Sequence, residues 1–421
     1  MATFNIDLVN NTGSDTAYAY ITGQASDNND ALFLLQSDGV TAYYPTSPSA
    51  VSSALSANCA IPLGANGSTK TVTIPHLAGA RLWFIRDAEL TFYLNPGPEL
   101  VEPSSSNTSD VNYNLYWDFC EFTWNTEQLY VNITMVDFAC LPIALSLTNT
   151  SGTTTTAEGL PADGLATICS ALQAQNASDG AGWDQLVVTT GGANLRANSP
   201  NTGISLNSEL FSNYWEPYVT QVWSKYAGAT LSVDTQASAG TLTATVSGDT
   251  LTFSSDSITY GQPASADIFS NSSGVFAVSG DSTKDAVTAR LAAAFNRSTL
   301  LIDTAQPDDE VIADYYQNSI TNHYARIIHA TALDGKGYAF PYDDVAPSDA
   351  TNVSGAVFDG SPQSLTVTVG GPTSDSTKKN TNQGTSAPTQ SGQNNQGSHV
   401  APKKDRLAGV KKFMRKLSCK N

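Results

Sequence analysis

Glu121 and Asp137 are the residues whose type and spacing could do chemistry. Glu121 lies in the aromatic run WDFCEFTW and Asp137, sixteen positions later, in VNITMVDF. Two carboxylates on adjoining β segments supply what glycoside hydrolysis needs: one kept protonated to donate to the leaving oxygen, one ionised. A gap of roughly 6.5–9.5 Å would admit a water and invert the anomeric centre, and about 5–5.5 Å would retain it. Surface decoration or a hydrogen-bonded turn would use the same residue types, so the pattern alone leaves both open.

Such a pair has to be held by a hairpin. If 119–125 and 131–138 pair antiparallel, matching Thr123 with Thr134 and Asn125 with Asn132 puts Phe122 opposite Met135 and Trp124 opposite Ile133. Apolar residues then share one face and polar ones the other. In this register Glu121 faces Val136, and a bulge near Val136 is needed to turn Asp137 onto the polar face. The resulting strip of Glu121, Thr123, Asn125, Asn132 and Thr134 suits sugar hydroxyls, because amides and hydroxyls both donate and accept. Asp118, by alternation, faces away and could orient the neighbouring loop or Glu121.

The rest of the chain predicts the frame. Up to about Leu145, short alternating runs (TFNIDLVN, TAYAYITG, TKTVTIP, RLWFIR, ELTFYLN) separated by Asn, Gly, Ser and Pro argue for a sandwich or barrel. After Thr148, residues 161–176, 207–226, 283–296 and 308–330 carry apolar residues at helical spacing, with strands DQLVVTT, TLSVDT and GTLTATVSG between them. Alternation returns in GYAFPYDDVAP and QSLTVTVGG. The expected fold is mainly β with an α/β insertion: a β domain over 1–147 and 332–371, an inserted mixed α/β domain over 148–331, a disordered linker over 372–402 and a basic amphipathic helix over 403–421. A ligand cleft is expected along the seam of the two domains.

Composition narrows the partners. The chain of 421 residues is 14% charged and carries a net −18. Residues 401–421 hold eight Lys or Arg and one Asp, so everything before them carries −25. Such a body repels nucleic acid and anionic membranes and fits a neutral polysaccharide better. The 403–421 helix could make a peripheral membrane or protein contact, and a monomer is expected. Five cysteines (Cys59, Cys120, Cys140, Cys169, Cys419) form no disulfide framework, and free buried thiols are favoured, although Cys120 and Cys140 could pair. Four histidines (His76, His323, His329, His399) form no metal motif, and core or cap roles are expected for His323 and His329. No metal or cofactor is implied. Asp343 and Asp344 could line the cleft or form a turn. The N-terminus has no visible leader, while sequons such as Asn66, Asn107, Asn176, Asn271 and Asn296 barely favour export.

Longer motifs are more specific. LVEPSSSNTSDVNYNLYWDFCEFTW, then VNITMVDFACLPIAL and NHYARIIHATALDGKGYAFPYDDV, resemble glycoside hydrolase family 64, the laminaripentaose-producing β-1,3-glucanases, as do GWDQLVVTTGGANLRANSP and ARLAAAFNRSTL. The resemblance spans roughly Phe4 to Gly371, and FNIDLVNNTG, YAFPYDDV and SLTVTV are similar to the thaumatin-like β fold that the family shares. It implies a thaumatin-like β-barrel or sandwich domain and a mixed α/β domain flanking a wide groove, and inverting endo-type hydrolysis of β-1,3-glucan to short oligosaccharides. By the same resemblance Glu121 of EFTW is general acid and Asp137 of VD general base, and Thr123, Asn125, Tyr130 and Thr134 contact sugar. Tyr130 would sit in the hairpin connection. The resemblance implies an extracellular or cell-wall setting. A thaumatin-like protein that grips β-glucan without cutting it is the alternative.

Overall fold

The computed structural model describes residues 2–254, 258–348 and 353–372. The expected basic helix and, apart from Pro372, the expected linker lie outside them, as does Cys419. The structure is mainly β, in several sheets, with helices concentrated between 164 and 331.

Two sheets form the framework of the site. One runs, in spatial order, Thr154–Ala157, Ile143–Asn149, Pro362–Val369, Phe4–Asn10 and Thr69–Ile74. In Phe4–Asn10 Phe4, Ile6, Leu8 and Asn10 are buried and the residues between them are more exposed, the alternation expected of a strand with one wet face. The second runs Ala356–Asp359, Leu129–Asn132, Trp117–Trp124, Leu77–Arg86, Ala17–Ala25, Ala31–Leu35 and Ala42–Tyr43. Phe4 meets Trp124 at 5.5 Å between ring centroids, so the even-numbered face of Trp117–Trp124 looks into the space between the sheets. Its odd face carries Trp117, Phe119, Glu121 and Thr123. Nearly the whole strand is buried, which explains its aromatic composition on both faces.

The chain returns to this framework at its end. Pro362–Val369 inserts between Phe4–Asn10, parallel, and Ile143–Asn149, antiparallel. Ala356–Asp359 adds to Leu129–Asn132. Between these segments, strands Leu231–Asp234, Thr241–Ser247 and Thr250–Phe253 form the middle of a five-stranded sheet, accompanied by helices such as Glu216–Gly228 and Ser282–Arg297. One continuous hydrophobic cluster runs from Phe4 through these helices to Val369. Cys59, Cys120, Cys140 and Cys169 are free and buried. No helix among the described residues is long and apolar enough to cross a membrane.

Three elements depart from expectation. The helix sought over 207–226 starts only at Glu216, because Pro217 belongs in a first turn, where its missing N–H goes unneeded. The helix sought over 308–330 is confined to His323–Thr331. Asn322 caps it by accepting from the Ala325 amide at 3.1 Å, while the preceding stretch folds Glu310 inward onto Arg297, Thr299 and Tyr315. GYAFPYDDVAP is a turn rather than a strand, apart from a bridge between Tyr338 and Thr134. The Asp343 carboxylate accepts the Ala339 amide and binds Arg297 and His329, which closes the chain on itself.

Candidate active site

Glu121 lies in a rung that crosses the sheet, where Thr22, Arg81, Glu121, Asn132 and Ala356 are successive cross-strand partners. Thr123, Tyr130 and Phe358 form the next rung on the same face. The hairpin register therefore differs from the expected one. Asn125 Oδ1 accepts the amides of Glu127 and Gln128, at 2.8 and 3.0 Å, and closes the turn there. Leu129 and Tyr130, placed in the connection by the sequence reading, are consequently strand residues. The shift is two residues on each strand, so every side chain keeps its expected face.

Asp137 reaches the site by another route. No bulge turns it over. The chain leaves the sheet after Asn132, Asp137 lies in a bend, and Phe138–Ala139 pairs with Ala193–Asn198 of a different sheet. Long-range backbone bonds fix this path. Met135 N donates to Tyr338 O at 2.7 Å and Tyr324 Oη donates to Met135 O at 2.8 Å. The Asp137 carbonyl accepts from Ser199 N at 2.9 Å and Thr202 Oγ1 at 2.8 Å, at the start of helix Pro200–Leu206. Asp118 Oδ2 accepts the Cys140 and Leu141 amides, at 2.8 and 3.0 Å, and pins the segment just beyond Asp137. The bulge that does exist is on the neighbouring strand, at Ala78–Gly79, where Gly79 takes a φ of +54° and its amide reaches Thr123 Oγ1 at 3.4 Å.

Exposure divides the two acids. Glu121 is 6% exposed, whereas Asp137 is open to solvent. Burial pushes the Glu121 carboxyl up to about 7; Arg81 pulls it down, and the nearby charges of Asp137 and Glu102 push it up again. Asp137, flanked by protein on its other sides, is also raised by burial, with Arg81 opposing. Arg81 and Glu102 belong to no motif in the sequence, although an arginine inside the apolar run LAGARLWFI is itself unusual. Arg81 Nη1 donates to Glu102 at 2.7 Å and Nε to Glu121 at 3.3 Å, and its guanidinium lies 4.7 Å from the Phe119 ring centre. Its shorter bond is thus to Glu102, which leaves Glu121 only partly compensated.

The other expected residues are distributed along the hairpin. Asn132 is buried directly opposite Glu121, and its Oδ1 has no hydrogen-bond partner among the described residues. Thr123 and Tyr130 share the adjacent rung, Asn125 stands at the turn, and Thr134 lies on the far side of Asn132, bridged to Tyr338. Asp344, half-buried, accepts from Tyr338 Oη at 3.0 Å, and its charge reaches Tyr130. A cavity of about 350 Å³ lined by Arg86, Tyr116, Cys140 and Asp163 contains neither acid.

Comparison with known proteins gives the family and the fold. The sequence profile of glycoside hydrolase family 64, described as Beta-1,3-glucanase, matches residues 2–369. Glucan endo-1,3-beta-glucosidase of Cellulosimicrobium cellulans is 31% identical over 302 residues, covering 70% of this chain and 52% of the relative. The enzyme of that name from Arthrobacter sp. (strain YCWD3) is 30% identical over the same shares. This chain thus spans about half the length of these relatives. Among solved structures, a laminaripentaose-producing beta-1,3-glucanase in complex with laminaritetraose superposes with a TM-score of 0.77 at 30% identity, covering 87% of this chain and 98% of the other. A beta-1,3-glucanase domain from Clostridium beijerinckii shares the fold, with a TM-score of 0.68 at 21% identity. With a family match over nearly its whole described length, this chain belongs to glycoside hydrolase family 64, the beta-1,3-glucanases.

Proposed function

We propose that this chain hydrolyses β-1,3-glucan by inversion, with Glu121 as general acid and Asp137 as general base. The observation that carries the assignment is the contrast between them: a buried glutamate raised to about 7 and a solvent-open aspartate within reach of its charge. Glu121 gives its proton to the glycosidic oxygen as the bond to the anomeric carbon breaks. Asp137 takes a proton from the water whose oxygen bonds to that carbon from the opposite face. Exchange with solvent then returns both acids to their starting states. Arg81, braced by Glu102, limits how far the Glu121 pKa rises. Thr123, Tyr130, Asn132 and Thr134 bind sugar hydroxyls, the unpartnered Asn132 oxygen accepting one; Asn125 chiefly shapes the turn.

This reading treats the two large sheets as a thaumatin-like domain, residues 148–331, apart from strand Thr154–Ala157, as an inserted α/β domain, and the face between them as a wide groove for an extended glucan. The return of Ala356–Asp359 and Pro362–Val369 to the N-terminal sheets supports that division. Proton NMR of the first products from laminarin tests the stereochemistry. An α-anomeric reducing end is expected. A β-anomer would rule out inversion, and binding without any product would favour a non-catalytic glucan-binding protein.

A further inference from the structure

Phe358 is 46% exposed on Ala356–Asp359, beside the carboxylate site. A single exposed phenyl is ordinary on a protein surface; its neighbours make this one different. It is the cross-strand partner of Tyr130, and the two rings lie 6.3 Å apart within 19° of parallel. The same rung continues to Thr123, and the next rung on this face holds Glu121 and Asn132. The backbone under Phe358 is fixed on both sides, by pairing with Tyr130 and by Asp359, which accepts from Asn149 Nδ2 at 3.0 Å and Ser361 N at 2.7 Å. The aromatic surface is therefore rigid and continuous with the site.

Pyranose rings present C–H-rich faces that stack on flat aromatics, and a rim of hydroxyls that seek polar groups. Phe358 and Tyr130 offer the first, Thr123 and the carboxylate of Asp344 near Tyr130 the second. From Glu121, Phe358 lies two strands across and two residues along. At about 4.8 Å per strand and 3.3 Å per residue, this is roughly 12 Å from the bond-breaking acid. Resting on the hydrolase reading above, we propose that Phe358 and Tyr130 form a stacking platform for a glucosyl unit remote from the cleaved bond, making Phe358 a determinant of preference for long glucan chains.

The platform is tested by steady-state kinetics of Phe358→Ala, Phe358→Leu and Phe358→Trp on laminarin and on laminari-oligosaccharides of increasing length. Leu keeps an apolar cover over Tyr130 but removes the flat face, which separates stacking from simple packing should the alanine variant fold poorly. The loss in kcat/KM is expected to grow with chain length, reaching about tenfold on laminarin and carried by KM, with Trp restoring it. A Leu variant with the parent KM on laminarin would overturn the platform while leaving the hydrolase reading intact. So would a kcat loss equal at every chain length, which marks a structural role. Wild-type protein that neither binds nor cleaves laminarin would overturn both.

Discussion

Two arginines in this fold are each held between carboxylates, and the carboxylates respond in opposite ways. Arg297 is fully buried, bonded to Asp343 at 3.2 Å and Glu310 at 3.5 Å, and it also donates to the Asp343 and Val345 carbonyls. Asp343 in turn accepts from His329 at 2.9 Å and from the Ala339 amide at 3.0 Å. Burial would raise its pKa, but His329 and Arg297 outweigh burial and hold it below the ordinary aspartate value. Arg81 offers Glu121 one contact at 3.3 Å while favouring Glu102, and there burial wins. Counting donors on each carboxylate thus separates a scaffold ion from an acid able to hold a proton near neutrality.

The largest effect that would test this contrast is on catalysis. Glu121→Gln and Asp137→Asn are expected to lower kcat on laminarin by about 10²–10⁴-fold each while the circular dichroism spectrum stays native. Near-parental turnover in either variant would break the assignment. Next, Asp343→Asn strands Arg297 and His329 in the interior and should cost about 3–5 kcal/mol in urea unfolding at neutral pH. Its pH dependence has a definite sign. The lowered Asp343 pKa stabilises the fold above about 3.8, a gain lost as pH falls through the folded value. The raised His329 pKa stabilises it below about 6.5, a gain lost as pH rises through its folded value. Both slopes should flatten in the variant.

A smaller effect sharpens the comparison at Arg81. The wild-type kcat/KM should fall as pH rises through about 7, where Glu121 loses its proton. Arg81→Gln, which removes the charge opposing burial, should move that limb upward by about a unit; a downward shift would show that Arg81 does not restrain Glu121. The smallest expected effect is on stability. Between the ordinary glutamate value of 4.5 and about 7, the folded chain holds a proton that the unfolded chain has lost. Stability should therefore decline with pH across that window, and Glu121→Gln should remove this part of the slope in thermal melts.

The same contrast explains what could be read from the sequence. Facing was legible at the hairpin because strand side chains alternate with period two, so even a register displaced by two residues on each strand kept Glu121, Thr123 and Asn132 together, whereas Tyr130, expected in the connection, joins them as a strand residue. The displacement arose locally, since Asn125 could serve equally as a strand residue or as the side chain that closes the turn. Asp137 was beyond such reasoning. Its path depends on Ser199, Thr202, Tyr324 and Tyr338, all distant in sequence, and no local period reports them. Helices Gly164–Asp179 and Ser282–Arg297 followed from their spacing, whereas 308–322 did not, because Glu310 turns inward toward Arg297, a partner outside that segment.

The parallel pairing of Phe4–Asn10 with Pro362–Val369 joins Ile6 to Leu365. At about 5–20 residues per second, the ribosome needs roughly 20–70 s to make the intervening chain. For that interval one side of a strand with the sequence FNIDLVN has no partner of its own, and a nascent neighbour could dock there. Pairing of this edge therefore waits until Pro362–Val369 has been made.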